Sequence, residues 1–207
     1  EITCSGPRIS CIASRPLIGK TSFLISLALR VGILRSRKRI AFFSSSGMGE
    51  EIYKRMASYI SGKDARSIGF NNKDASLLLR VSYNLGKSNI YIDDKSTITI
   101  DYIIDKLNDL KKKGNIDLLI IDDFSYIINA GKFRTRRKKI LAIKEISKEL
   151  NSPAIITAEL SRRLLRRTSK IPKLDDIRGH FIVDLLDVIL LIHREDYYHE
   201  TTEPAGN

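Results

Sequence analysis

Two hydrophobic regimes alternate along the chain. Short continuous apolar runs at 9–13, 40–43, 116–121, 154–158 and 188–192 predict strands buried on both faces. Between them apolar residues recur every three or four positions. Phe23, Leu24, Leu27, Ala28, Val31 and Leu34 predict a helix over 20–34, and Ile52, Met56, Tyr59 and Ile60 one over 50–60. A further helix is expected around 74–81, and a short strand at 90–92 that Asp93-Asp94 ends. Ile100, Ile103, Ile104, Leu107 and Leu110 mark the next helix, capped by Thr97 or Thr99 and closed by Gly114 after three lysines. Ile140, Ile143, Ile146 and Leu150 face inward on a helix over 136–150. Segment 131–135 reads as an open loop, and 162–170 as a basic loop expected to be mobile. Strands alternating with helices, without repeat or linker, predict an α/β fold: a mainly parallel central sheet with helices on both faces.

Composition narrows the class. The 207 residues suffice for one α/β domain with a full core and are short for two. No run reaches the ~18 apolar residues of a membrane span. No signal-like leader is visible, and a chain beginning at Glu1 is expected to be a piece of a longer one. Cys4 and Cys11 lack metal-ligand or redox spacing, so the expected compartment is a reducing cytoplasm. Lys and Arg number 36 against 24 Asp and Glu, a net charge of +12. Such an excess suits a polyanionic partner, although solubility or an AT-rich genome produces it too. The basic residues cluster at 35–39, 132–139 and 162–170, and the last two clusters are expected on one side.

The chemistry begins at Ser14-Arg15-Pro16-Leu17-Ile18-Gly19-Lys20-Thr21, followed by Ser22. Strand, tight loop, Gly-Lys-Thr and helix are the context of a phosphate-binding loop. Helix N-terminal N–H groups face an anion there, Lys20 reaches the β- and γ-phosphates, and Thr21 ligates Mg²⁺. Ser14 stands where the usual pattern has its first glycine. Such a site also needs a carboxylate at the end of a buried strand. Leu118-Leu119-Ile120-Ile121-Asp122 supplies one, with Asp123 beside it and the strand expected in the sheet centre next to the phosphate loop.

These motifs continue in order through Phe43-Ser44, Tyr91-Ile92-Asp93-Asp94, Leu160-Ser161-Arg162, Leu174-Asp175-Asp176-Ile177-Arg178 and His193-Arg194-Glu195-Asp196. From about residue 5 to 198 the chain resembles the C-terminal motor domain of DnaB-type replicative helicases, with its RecA-like core. The resemblance implies one RecA-like ATPase domain over 1–207, ending before the family's basic finger. It implies a hexameric ring that hydrolyses ATP with Mg²⁺, translocates on single-stranded DNA, and works with a primase or helicase loader. It also implies that Arg178, Gly179 and His180 form the loop that grips the DNA backbone. That loop is one residue shorter than the family's Arg-Glu-Ser-Gly, and a surface ion pair of Arg178 with Asp175 or Asp176 is the plainer alternative.

Two departures bear on catalysis. Ser46 falls where the family carries the glutamate that polarises the attacking water, and a serine is no base at neutral pH. Either Asp123 takes over that role or hydrolysis is slow; Glu50 and Glu51 match family positions that are not catalytic. Glu159 replaces a glutamine that senses the γ-phosphate, which an ionised carboxylate repels unless a metal or Lys20 intervenes; it is also a candidate for a displaced base. A hydrolysis-poor protein that binds ATP and DNA is therefore the alternative to an active motor.

Overall fold

A computed structural model describes residues 6–34, 38–45, 49–69 and 71–199, with Leu34, His180, Phe181 and His199 described by backbone alone. Strands β1 (Ile9–Ser14), β2 (Ile40–Ser44), β3 (Ile90–Asp93), β4 (Leu118–Asp122), β5 (Ala154–Glu159) and β6 (Val188–Leu191) form one sheet. Its order is β3-β2-β4-β5-β1-β6. Every neighbouring pair runs parallel. β4 is interior, as its apolar run requires, but β5 lies between it and β1. β4 thus lies in the sheet centre with its end beside the phosphate loop, as expected, although it does not pair with β1: local patterning fixes how deeply a strand is buried, whereas crossover helices decide its neighbours.

One face of the sheet packs against α1 (Lys20–Leu29), α2 (Gly49–Ser61) and α3 (Ala75–Lys87) through Leu24, Ala28, Ile52, Met56 and Val81. The other packs against α4 (Ile100–Lys111) and α5 (Arg136–Leu150) through Ile103, Leu107, Ile140 and Ile143. Phe42 points into the first layer and Phe43 into the second, each fully buried, as the period-2 alternation of a strand dictates. Burying such a side chain contributes ~1.5–3 kcal/mol, so the central strands hold the sheet between its layers. A short α6 (Asp196–His199) follows β6.

Caps explain the helix boundaries. Thr99, not Thr97, caps α4 by accepting from the Tyr102 N–H at 3.1 Å. Thr135 caps α5 through the Lys138 N–H at 3.2 Å, and Asn151 ends it at φ 49°. Three boundaries differ from expectation. The helix predicted over 20–34 is α-helical only to Leu29 and widens into a π turn over Arg30–Leu34. α3, expected around 74–81, runs on to Lys87. The basic segment expected as a loop contains regular structure: Arg162–Arg166 form a 3₁₀ turn capped by Ser161, and Arg167 pairs with Asp176 at 2.7 Å. Its poor 3.6 period reflects a turn with three residues per repeat.

Candidate nucleotide and nucleic-acid site

The loop after β1 curls back to start α1. Leu17 sits at φ 65° with its side chain 87% exposed, and Gly19, at φ 114°, is the N-cap without any side-chain cap. A non-glycine residue held left-handed at an exposed loop tip is a conformation found at ligand-clamping turns. The first N–H groups of a helix have no intrahelical acceptor, and here no side chain supplies one. Lys20 is buried, and among the described residues its Nζ has only a 3.5 Å contact, to the Ser14 carbonyl. An ammonium so weakly satisfied beside uncapped amides suits an anion. Ser14 is fully buried and turns its hydroxyl onto the Arg15 carbonyl at 2.7 Å.

Although β5 separates their strands, α1 brings Thr21 to Asp122. Thr21 Oγ1 donates to Asp122 Oδ2 at 2.6 Å, and Thr157 Oγ1, on the intervening β5, donates to Oδ1 at 2.7 Å. Both carboxylate oxygens are thereby oriented. Asp123 is fixed differently. Ser45 Oγ accepts from the Asp123 N–H at 3.0 Å and donates to its carbonyl at 2.8 Å, while its carboxylate accepts from the Ser125 N–H at 2.7 Å. Burial pushes the Asp123 carboxyl up to about 6, against the lowering effects of the Ser125 amide and Lys20. Burial, then the charge of Asp123, drives the Cys11 thiol up to about 12, so Cys11 serves as a core residue.

A cleft of about 460 Å³ joins these groups; Gly19, Lys20, Thr21, Ser22, Asp122 and Asp123 line it. Leu17, Glu51, Ile52, Arg55, Tyr126 and Arg194 also line it, and sequence reasoning missed the polar four, Glu51, Arg55, Tyr126 and Arg194, as site residues. Arg55 binds Glu51 at 3.0 Å and donates to Ser22 Oγ at 2.7 Å, so Glu51 is at the cleft yet already paired. The signal for this pair was the four-residue spacing on α2; nothing local announced that α2 overhangs the loop. Among the described residues no three His, Cys, Asp or Glu side chains come together to hold a metal. Thr21 and Asp122 fit a cation that keeps water and phosphate ligands, as Mg²⁺ does.

A second cleft, about 530 Å³, is lined by Arg15, Pro16, Tyr126, Glu159, Arg162 and Arg178, among others. Glu159 ends β5 in register with Ser14. Its carboxylate accepts from Arg178 Nη1 at 3.2 Å and from the Tyr126 hydroxyl at 3.4 Å. Arg178 therefore pairs with Glu159, not with Asp175 or Asp176; the Asp176 carboxylate is taken by Arg167. The cation paired with Glu159 is thus Arg178 rather than Lys20. Gly179 turns at φ 82° and starts the 3₁₀ segment His180–Leu185, so the shorter loop is a tight turn. Arg136 Nη1 donates to the Arg178 carbonyl at 2.6 Å, bringing the head of α5 onto that turn. Of the two basic clusters, Arg136 thus reaches the Arg178 turn and Arg162 lines the same cleft as Arg178, whereas Lys139 is buried and bonded to the Ile127 carbonyl. Ser46 and Cys4 lie outside the described residues.

The model of the DnaB-like helicase C-terminal domain matches residues 5–207. The chain belongs to that family. The replicative DNA helicase DnaB of Rickettsia bellii is 30% identical over 213 residues, which cover 95% of this chain and 43% of the relative. A solved structure of a DnaB-like replicative helicase and its interactions with primase superposes with a TM-score of 0.82 at 25% identity, covering 97% of this chain and 50% of that one. A solved structure of an isolated ATPase domain gives 0.80 at 26% identity, over 96% and 74%. The chain thus spans less than half the length of the curated helicase it matches. The fold of this DnaB-like domain is the RecA-like ATPase fold, and no helix among its described residues is long and apolar enough to cross a membrane.

Proposed function

We propose that this domain is the motor of a ring-forming replicative helicase that couples ATP binding and hydrolysis to movement along single-stranded DNA. The observation that carries the reading is the Thr21–Asp122 hydrogen bond at 2.6 Å, beside buried Lys20 at an uncapped helix N-terminus. The two halves of a phosphate and metal site meet across the sheet. Gly19, Lys20, Thr21 and Ser22 would hold the phosphates, with Ser14, Arg15 and Pro16 shaping the loop. Thr21 and Asp122 would hold Mg²⁺, which when bound supplies charge neutralisation at the transferring phosphoryl group. Lys20 supplies a charge-assisted contact to the phosphates. Asp123, immobilised by Ser45 and Ser125, is the carboxylate placed to take a proton from water, and Glu159 at the end of β5 is held off the phosphates by Arg178. Arg178, Gly179 and His180 would hold the DNA backbone, and a primase or helicase loader is the expected protein partner.

Ser46 favours the second reading, a protein that binds ATP and DNA but turns over slowly. Both readings need the same nucleotide site. Lys20→Ala should weaken ATP·Mg²⁺ binding at least tenfold by calorimetry, a change that needs only ~1.4 kcal/mol. Parental affinity in that variant would place the nucleotide elsewhere.

A further inference from the structure

Tyr126 is 56% exposed and lines both clefts. Its exposure is built in. It ends the 3₁₀ turn Phe124–Tyr126, whose first residue Phe124 and following residue Ile127 are each 2% exposed and anchor the turn in the core. The Asp123 side chain caps that turn, and the Tyr126 N–H donates to the Asp123 carbonyl at 3.1 Å. The backbone thus fixes the ring at the cleft wall. The hydroxyl contact to Glu159 is long, 3.4 Å, and Glu159 already has Arg178 as counter-ion. Satisfying that carboxylate therefore does not account for an exposed ring.

The surroundings are cationic. Arg162 and Arg178 stand exposed on the walls. Arg15 is 9% exposed; its Nη1 donates to the Leu160 carbonyl, and its Nε has no hydrogen-bond partner among the described residues. Three guanidinium groups against one carboxylate leave the cleft attractive to anions, and its volume of about 530 Å³ falls in the range of small-ligand sites. An aromatic face beside arginines is the arrangement that holds single-stranded nucleic acid, the ring stacking a base while the cations take the phosphates.

Resting on the proposed DNA reading, we infer that the Arg15–Arg178 cleft seats one nucleotide unit of the bound single strand, its base stacked on Tyr126 and its phosphate on Arg162 and Arg178. The grip then includes a base contact in addition to the backbone.

The test compares the complete protein with its Tyr126→Phe and Tyr126→Ala variants, each checked for folding by circular dichroism. Each is titrated with an ordinary single-stranded oligonucleotide and with an abasic strand of equal length. One stacked base is worth roughly five- to a hundredfold in affinity. The parent and Tyr126→Phe should prefer the base-bearing strand by such a factor, Tyr126→Ala should lose that preference, and all three should bind the abasic strand alike. Retained preference in Tyr126→Ala, or equal weakening for both strands, overturns the inference while leaving DNA binding intact. A loss of ATP affinity in place of DNA affinity overturns it by assigning the ring to the nucleotide. Failure of the parent to bind either strand overturns the DNA reading itself and this inference with it.

Discussion

Asp123 and Ser46 represent two ways of placing a base near the γ-phosphate, and the residue scale is where they separate. Asp123 lines the cleft, with its backbone clamped by Ser45 and its carboxylate aligned by Ser125. A positioned base contributes typically ~10²–10⁴-fold. Asp123→Asn in the complete protein should therefore lower turnover by about that factor while ATP affinity stays within a few-fold, and Ser46→Glu should give no gain. Steady-state and binding measurements on both variants check this; a mild Asp123→Asn with an accelerated Ser46→Glu points to a weakened ATPase instead. Lys20, Thr21 and Asp122 were legible in the sequence because each belongs to a motif whose meaning is local. Thr157, Ser45 and Tyr126 were not, since each acts across the sheet or on a segment distant in sequence. A lone hydroxyl in an apolar strand, such as Thr157, gives no hint of the carboxylate it will meet.

At the scale of elements, α5 matters beyond packing because its first residue, Arg136, holds the turn that carries Arg178. Two changes separate cap from core. Thr135→Ala removes one capping bond and should cost ~1 kcal/mol. Ile143→Ala, at a fully buried position, leaves a cavity and should cost ~2–5 kcal/mol. Urea denaturation should show both as shifts in midpoint with unchanged slope. A cap loss equal to the core loss would mean that the helix head, not its apolar face, anchors α5. The apolar periods announced every long helix and all six strands, and boundaries failed where the backbone leaves the α period: the π turn after Leu29 and the 3₁₀ turn at Arg162–Arg166. The loop composition of 162–170 hid its turn and its ion pair, because the partner, Asp176, lies outside the segment.

For the whole molecule, strand order was the least legible feature. Alternation of strands and helices implied a parallel sheet, but not that β5 would lie between β1 and β4. That order places Ser14, Asp122 and Glu159 at the C-terminal ends of β1, β4 and β5, so the nucleotide cleft and the Arg178 cleft share one edge of the sheet and Tyr126 lines both. In open α/β sheets ligands bind at this edge. The net charge of +12 suited a polyanion without locating it; Arg136 holds the turn of Arg178, which shares a cleft with Arg162, and that is where the proposed DNA strand would lie. Such proximity is what a motor needs if the two ligands are to influence each other.

The most direct test of that coupling is steady-state ATP turnover by the complete protein, with and without single-stranded DNA, in the parent and in Lys20→Ala. Single-stranded DNA should raise turnover in the parent, and Lys20→Ala should lose both the basal and the stimulated rate. Turnover indifferent to single-stranded DNA, or undiminished in Lys20→Ala, would contradict the account.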